Sequence, residues 1–291
     1  MTDAIQLLIS GVATGAIYAM AALGFTLLWQ AAGTINFAQG EFVMLPAFAM
    51  LIAIGLGAPL WLAFFIALIA SIAILGLGFK KVVVDPMRTH GVIALVVATL
   101  GLSIGLKSLV KAAYSAEPHP FPYLFGEEIV RIAGVTVSYS DIGALVVAAL
   151  MVIGLQLFLN RTITGRAMQA VAQNTFAAEA LGINVARMIA YTFVINAILV
   201  TVTALLITPA YLAKFDMGDN IGLKAFFAAI IGGFNNPRGA LLGGVLVGVL
   251  ENFAGAYVSP SYKDGVALVL FLTVILIKPD GLLGTPQERK V

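Results

Sequence analysis

Long stretches in which few polar residues interrupt Ala, Val, Leu, Ile and Phe follow one another along this chain. Segments of roughly 20 mostly apolar residues, the length that crosses a bilayer, fall at 5–29, 37–57, 59–79, 91–113, 141–159, 186–212 and 264–278, the last a little short. Barrel strands alternate apolar and polar positions over about ten residues. These runs are continuous and longer, so they predict helices. Residues 222–258 are less simple. GLKAFFAAIIGGF, at 222–234, would reach only about 20 Å as a helix, against a hydrocarbon core of roughly 30 Å. NNPRG then interrupts it, because proline lacks a donor and disfavours helix in the residue before it. ALLGGVLVGVLENFAGAYV follows and is long enough to cross. A half-helix, a turn and a full helix are predicted. The expected fold is an all-α polytopic membrane protein: one transmembrane domain over 1–291 with eight or nine spans, broken or re-entrant near 222–258.

Composition supports lipid as the solvent. The chain is 61% hydrophobic and 10% charged, whereas soluble domains are about a quarter charged. The N-terminal run lacks a basic flank and is too long for a cleaved signal, so it reads as the first span. A net charge of +2 points to no nucleic-acid partner. With no cysteine, disulfides, thiolate metal sites and cysteine nucleophiles are excluded.

Basic residues set the expected sidedness. Lys80, Lys81 and Arg88 share one loop, and Arg161, Arg166 and Arg187 another; Lys278, Arg289 and Lys290 close the chain. The loop 114–140 holds Glu117, Glu127 and Glu128 with only Arg131. The first three groups are expected in the cytoplasm and 114–140 outside. The N-terminus is then outside, and the C-terminus inside if 222–258 crosses twice.

One stretch breaks the apolar pattern: GRAMQAVAQNTFAAEALG at 165–182. Arg166, Gln169 and Gln173 fall on one helix face. Asn174 can cap a second short helix ended by Gly182, and Asn184 can cap the next span. An ordinary loop would not be so rich in alanine, and the stripe is too weakly apolar to anchor in lipid. Two short helices forming a docking knob are expected within a cytoplasmic loop 160–186.

Catalytic motifs are missing. GLSIG at 101–105 matches the nucleophile pattern G-x-S-x-G, but it lies in an apolar helical run without the strand–turn–helix elbow. The two histidines, His90 and His119, sit in loops expected on opposite sides. No Gly-Lys dipeptide occurs, so there is no P-loop, and no H-E-x-x-H occurs either. No metal or cofactor is expected.

The chain resembles the permease subunits of branched-chain amino-acid ABC importers. The resemblance rests on GAIYAMAALGFTLLW with GTINFAQGEFVM at 15–44, GRAMQAVAQNTFAAEALGINV at 165–185 and AAIIGGFNNPRGALLGGVLVGVLEN at 228–252. It implies a multi-pass protein of the bacterial inner membrane, surrounded by membrane lipid and passing an amino-acid solute. The implied partners are a homologous second permease, two ATPase subunits that use the ATP, and a soluble substrate-binding protein. The polar stretch then corresponds to the loop that seats in a groove of the ATPase, with Arg166, Gln169, Gln173, Glu179 and Gly182 as coupling residues. Urea or short amides are the alternative solutes. An ion-coupled secondary transporter, which often has broken helices, is the alternative class.

Polar residues inside spans are expensive in lipid. Asn36, Gln39 and Glu41 begin one span; Asn36 can cap it and Glu41 can sit at its electropositive end, or they can line the solute path or its gate. Glu251 and Asn252, mid-span, suit either interhelical hydrogen bonding or the path. Gly239, Gly243, Gly244 and Gly248 have the spacing of close helix packing. Lys107 and Lys111 can snorkel outward.

Overall fold

The computed structural model describes residues 2–33, 35–87, 90–126, 128–132 and 135–284. Arg88, Glu127, Arg289 and Lys290, which contributed to the sidedness expectation, lie outside the described residues. In chain order come α1 (Thr2–Ala32), α2 (Gln39–Gly55), α3 (Leu60–Met87), α4 (Val92–Ala113), β1 (Ile129–Ile132), β2 (Val135–Ser138) and α5 (Tyr139–Arg161). Then follow α6 (Ile163–Gln173), α7 (Thr175–Ala180), α8 (Val185–Tyr211), α9 (Met217–Gly232), α10 (Pro237–Tyr257) and α11 (Lys263–Ile277). Among the described residues, seven helical stretches are long and apolar enough to cross a membrane, the seventh being α11 with the helical turn before it (Pro260–Ile277), and α2 and α9 are shorter. The fold is an all-α polytopic membrane protein, with one small antiparallel hairpin, β1–β2, in the loop between α4 and α5. The hairpin arises from IVRI and VTVS, whose alternating β-branched residues turn Val135 and Val137 inward.

α1 is the central post, packed against α8, α9 and α10. Its approach to α10 depends on small residues: a Cβ on Gly248 would run into the backbone of Gly15 and Gly11, and one on Gly244 would meet Ala19. Gly239 and Gly243 serve a different face, lying against Gly232 and Ala228 of α9. The glycines of α10 therefore form two close contacts with two neighbours. Outward-facing residues are apolar: Leu62, Phe65, Ile66 and Ile69 on α3 recur at helical spacing, as do Val269, Leu272 and Leu276 on α11. That arrangement suits lipid.

Two helices begin inside the bundle. After α1 the chain turns back, and Gln39 at the start of α2 exchanges two hydrogen bonds with Asn196 of α8, at 2.7 and 3.0 Å. Asn196 lies eleven residues into α8, about 16 Å from its first residue. The span expected at 37–57 is therefore a half-helix starting at depth. Its first turn abuts the first turn of α9, where Gly40 and Gly218 lie backbone to backbone with no room for a Cβ on either. Asn36 does not occupy the capping position, which is Ala38; its Oδ1 accepts from the Ala38 amide at 3.0 Å, an Asx turn leading into the helix. Thr99 of α4 accepts from the Phe37 amide at 3.2 Å.

α9, the turn 233–236 and α10 realise the expected half-helix, break and full helix. Gly233 has φ +110°, Asn236 caps α10 and Pro237 stands at its first position. The Gln30 amide donates to Asn235 O at 2.7 Å, and the Leu282 and Leu283 amides donate to Ile231 and Gly232 O. α3 also departs from expectation. It runs on to Met87, wound in the wider π form over much of Ile72–Val84, and Lys80 pairs five residues on with Asp85 at 2.7 Å. That spacing matches the i→i+5 repeat of such a helix.

Gly248→Leu should separate α1 from α10 and lower the thermal midpoint of the detergent-solubilised protein, whereas Gly101→Leu, which meets nothing within 4 Å, should leave it nearly unchanged. Gln39→Leu should strand the Asn196 amide in the interior at a cost of about 1–3 kcal/mol. The double variant Gln39→Leu/Asn196→Leu should recover part of that loss in the same melting experiment.

Candidate functional site

The polar stretch forms the knob its sequence predicts. Thr162 Oγ1 accepts from Gly165 N, Asn174 Oδ1 from Ala177 N and Asn184 Oδ1 from Arg187 N, each at 2.9 Å. Each cap satisfies a donor that its helix start leaves open. Gly182, at φ +82°, ends α7, with its amide donating to Glu179 O and that of Ile183 to Ala178 O. Met168, Val171 and Ala178 are buried and seat the knob on the bundle.

Arg166 and Glu179 are exposed. Gln169 donates to Asn160 Oδ1 at 3.0 Å, and with Gln173 it borders a cleft of about 490 Å³ shared with Gln30, Thr192 and Asn235. The glutamine side of α6 thus faces this cleft. Large apolar residues also stand out into solvent: Ile163 and Phe176 are each 82% exposed and Leu181 is 81% exposed. The sequence reading did not select them, although a phenylalanine and a leucine at the edges of an alanine-rich polar helix were a visible signal.

The second cluster of polar groups lies inward of the far end of the bundle, where Ser10 of α1 donates to Asp141 of α5 at 2.6 Å and His119 and Ala213 exchange backbone hydrogen bonds. Glu251 of α10, buried, accepts from the Lys224 ammonium of α9 at 2.7 Å. Tyr18 and Tyr211 share a hydrogen bond at 2.7 Å and place their rings 5.5 and 5.6 Å from the same ammonium. Lys224 also reaches Asp264 of α11 at 3.0 Å. Asn252 turns to its own helix, donating to Gly248 O at 3.0 Å. Glu41 is buried in the first turn of α2, with Ser103, Lys107 and Asp219 as neighbours. Lys107 does not snorkel: it pairs with Asp219 at 2.7 Å, while Lys111 lies 5.0 Å from the Phe215 ring. Asp219 at the start of α9 draws Lys107 inward. Lys224, the centre of this network, was missed by sequence reasoning; its signal was a lone lysine in the apolar run 222–234.

Residues 7–275 match the family model described as branched-chain amino acid transport system / permease component. The chain is 36% identical to the high-affinity branched-chain amino acid transport system permease protein BraD of Pseudomonas aeruginosa, over 99% of this chain and 98% of that one. It is 32% identical to the corresponding protein LivH of Escherichia coli, over 99% of this chain and 97% of that one. A solved structure titled PsaBC from Streptococcus pneumoniae in complex with Fab shares the fold, at TM-score 0.52 and 14% identity over 93% of this chain and 91% of that one. A multi-pass membrane bundle, a capped two-helix knob without catalytic groups, and relatives of this identity along the whole chain lead to one assignment: the chain belongs to the family of permease components of branched-chain amino acid transport systems.

Proposed function

We propose that this permease passes a branched-chain amino acid across the bacterial inner membrane, and that the knob at 160–186 receives the work of ATP hydrolysis from a separate ATPase. The relatives named for branched-chain amino acids support the solute. The observation that carries the coupling role is the knob's surface: Phe176 and Leu181 stand exposed on α7 and at its C-cap, in a pair of short helices held by two side-chain caps and a left-handed glycine. Large exposed apolar side chains on a rigid polar platform are the anchors a protein partner buries. Arg166 and Glu179 add charge around them, which orients docking more than it tightens it. The functional assembly then comprises a second homologous permease, two ATPase subunits that bind the ATP, and a soluble protein that delivers the solute. Asn36, Gln39 and Glu41 belong, in this reading, to the hinge of the path, where the two broken helices meet.

Phe176→Ala/Leu181→Ala and Glu179→Lys should reach the membrane at near-normal levels yet retain less ATPase on purification and lose ATP-driven leucine uptake. Gly182→Val should act the same way, since a left-handed residue with a Cβ costs about 1–2 kcal/mol and frays α7. Normal uptake and a fully bound ATPase in all three variants would sink the coupling assignment. Because the chain has no cysteine, single introduced thiols report sidedness cleanly. Asp85→Cys and Ala172→Cys should be labelled by an impermeant maleimide from the cytoplasm only, and Phe125→Cys from outside only.

A further inference from the structure

The first half of α9 and the first turn of α11 line a cleft of about 230 Å³, and Lys107 of α4 reaches its edge through the pair with Asp219. Its wall carries Asp219, Lys224 and Asp264 together with Leu223, Phe227 and Ala267. The side chains of Asp219 and Asp264 are 55% and 63% exposed. Yet Asp219 lies at membrane depth: its neighbour Gly218 abuts Gly40, next to the Gln39 that pairs with Asn196 in the body of α8. Charge open at that depth cannot face lipid and belongs on a wetted or protein-lined surface.

The charges are arranged unevenly. Lys107 and Asp219 form one pair. Lys224 is held from behind by Glu251 and the two tyrosines, and shares Asp264 at the cleft. Two ammonium groups, those of Lys107 and Lys224, thus meet four carboxylates, Glu41, Asp219, Glu251 and Asp264, of which Asp264 is the most open to solvent. Beside these charges lies the apolar strip of Leu223, Phe227 and Ala267. Charged groups of both signs next to a short apolar strip complement an α-amino acid with a hydrocarbon side chain.

Building on the solute class given above, we propose that this cleft holds the zwitterionic head of the solute in transit by exchange of ion pairs. Asp264 and Asp219 take its ammonium, Lys107 and Lys224 take its carboxylate, and its side chain lies along Leu223 and Phe227. Exchange leaves no charge bare at any moment, because each protein group trades one partner for another of the same sign.

The test uses the complete transporter with its binding protein, reconstituted in liposomes, and follows uptake of radiolabelled leucine alongside subunit retention. Asp264→Asn leaves Lys224 paired with Glu251, so the complex should keep its subunits while uptake falls at least tenfold, with Asp264→Glu recovering much of the loss. The swap Lys107→Asp/Asp219→Lys keeps a pair at that position and should assemble, yet uptake should stay at least tenfold low because the polarity offered to the zwitterion is reversed. Uptake within twofold of the native complex in Asp264→Asn, or full recovery of uptake by the swap, would show that the pairs only brace the helices and would overturn the proposal. If the native complex takes up no branched-chain amino acid, the solute reading itself fails, and this inference with it.

Discussion

Everything in this bundle depends on how two helices can start within the depth of the membrane. The first turn of any helix leaves amide donors open, and in hydrocarbon each unmet donor costs several kcal/mol. α2 meets this with a turn at 36–38: Asn36 accepts from Ala38, and Thr99 accepts from Phe37. α9 meets it with Lys214 and Asp216 carbonyls, which accept from Met217 and Asp219. The two starts are then pressed together at Gly40 and Gly218, so that each helix end shields the other. The Gln39–Asn196 amide pair fixes the depth of this junction, and Gly24 leaves the space it needs. Remove the junction and α2 loses its register.

This constraint explains which parts of the sequence could be read. Continuous apolar runs have one stable solution in lipid, so the long helices and the broken helix pair within 222–258 followed from pattern and proline, although α9 begins five residues earlier, at Met217. The knob was legible because caps are local: Asn174, Asn184 and Gly182 act within four residues of themselves. α2 was not legible as a half-helix, because its apolar run is the length of a full span. Only the partner of Gln39, 157 positions away, shows that it begins inside. Lys224 was opaque for the same reason, since the two carboxylates that justify it lie on other helices. The π winding within Ile72–Val84 and the pairing of β1 with β2 likewise depend on local choices that hydropathy does not record.

Small residues and charge divide the work of α9 between them. Toward α10, Gly232 and Ala228 meet Gly239 and Gly243 so closely that the two helices behave as one unit. Toward α4 and α11, the same helix presents Asp219 and Lys224, paired with Lys107 and Asp264, while Glu251 of α10 holds Lys224 from behind. One side of α9 is therefore a fixed contact and the other an adjustable one.

The position of α9 gives this asymmetry mechanical meaning. Its last turn ends at the 233–236 loop, which receives the Gln30 amide from α1 and, through Asn235, borders the same cleft as Gln169 and Gln173 of the knob. Its first turn abuts α2 and carries the ion-paired groups. A helix cannot be compressed along its axis without breaking its hydrogen bonds, so a displacement at the knob end is delivered to the other end nearly undiminished. Ion pairs at that end can be re-formed with a different partner, whereas an apolar contact of equal strength would only slip or hold. A rod packed rigidly on one side and ion-paired on the other can therefore turn motion beside the knob into a change of charge partner within the bilayer.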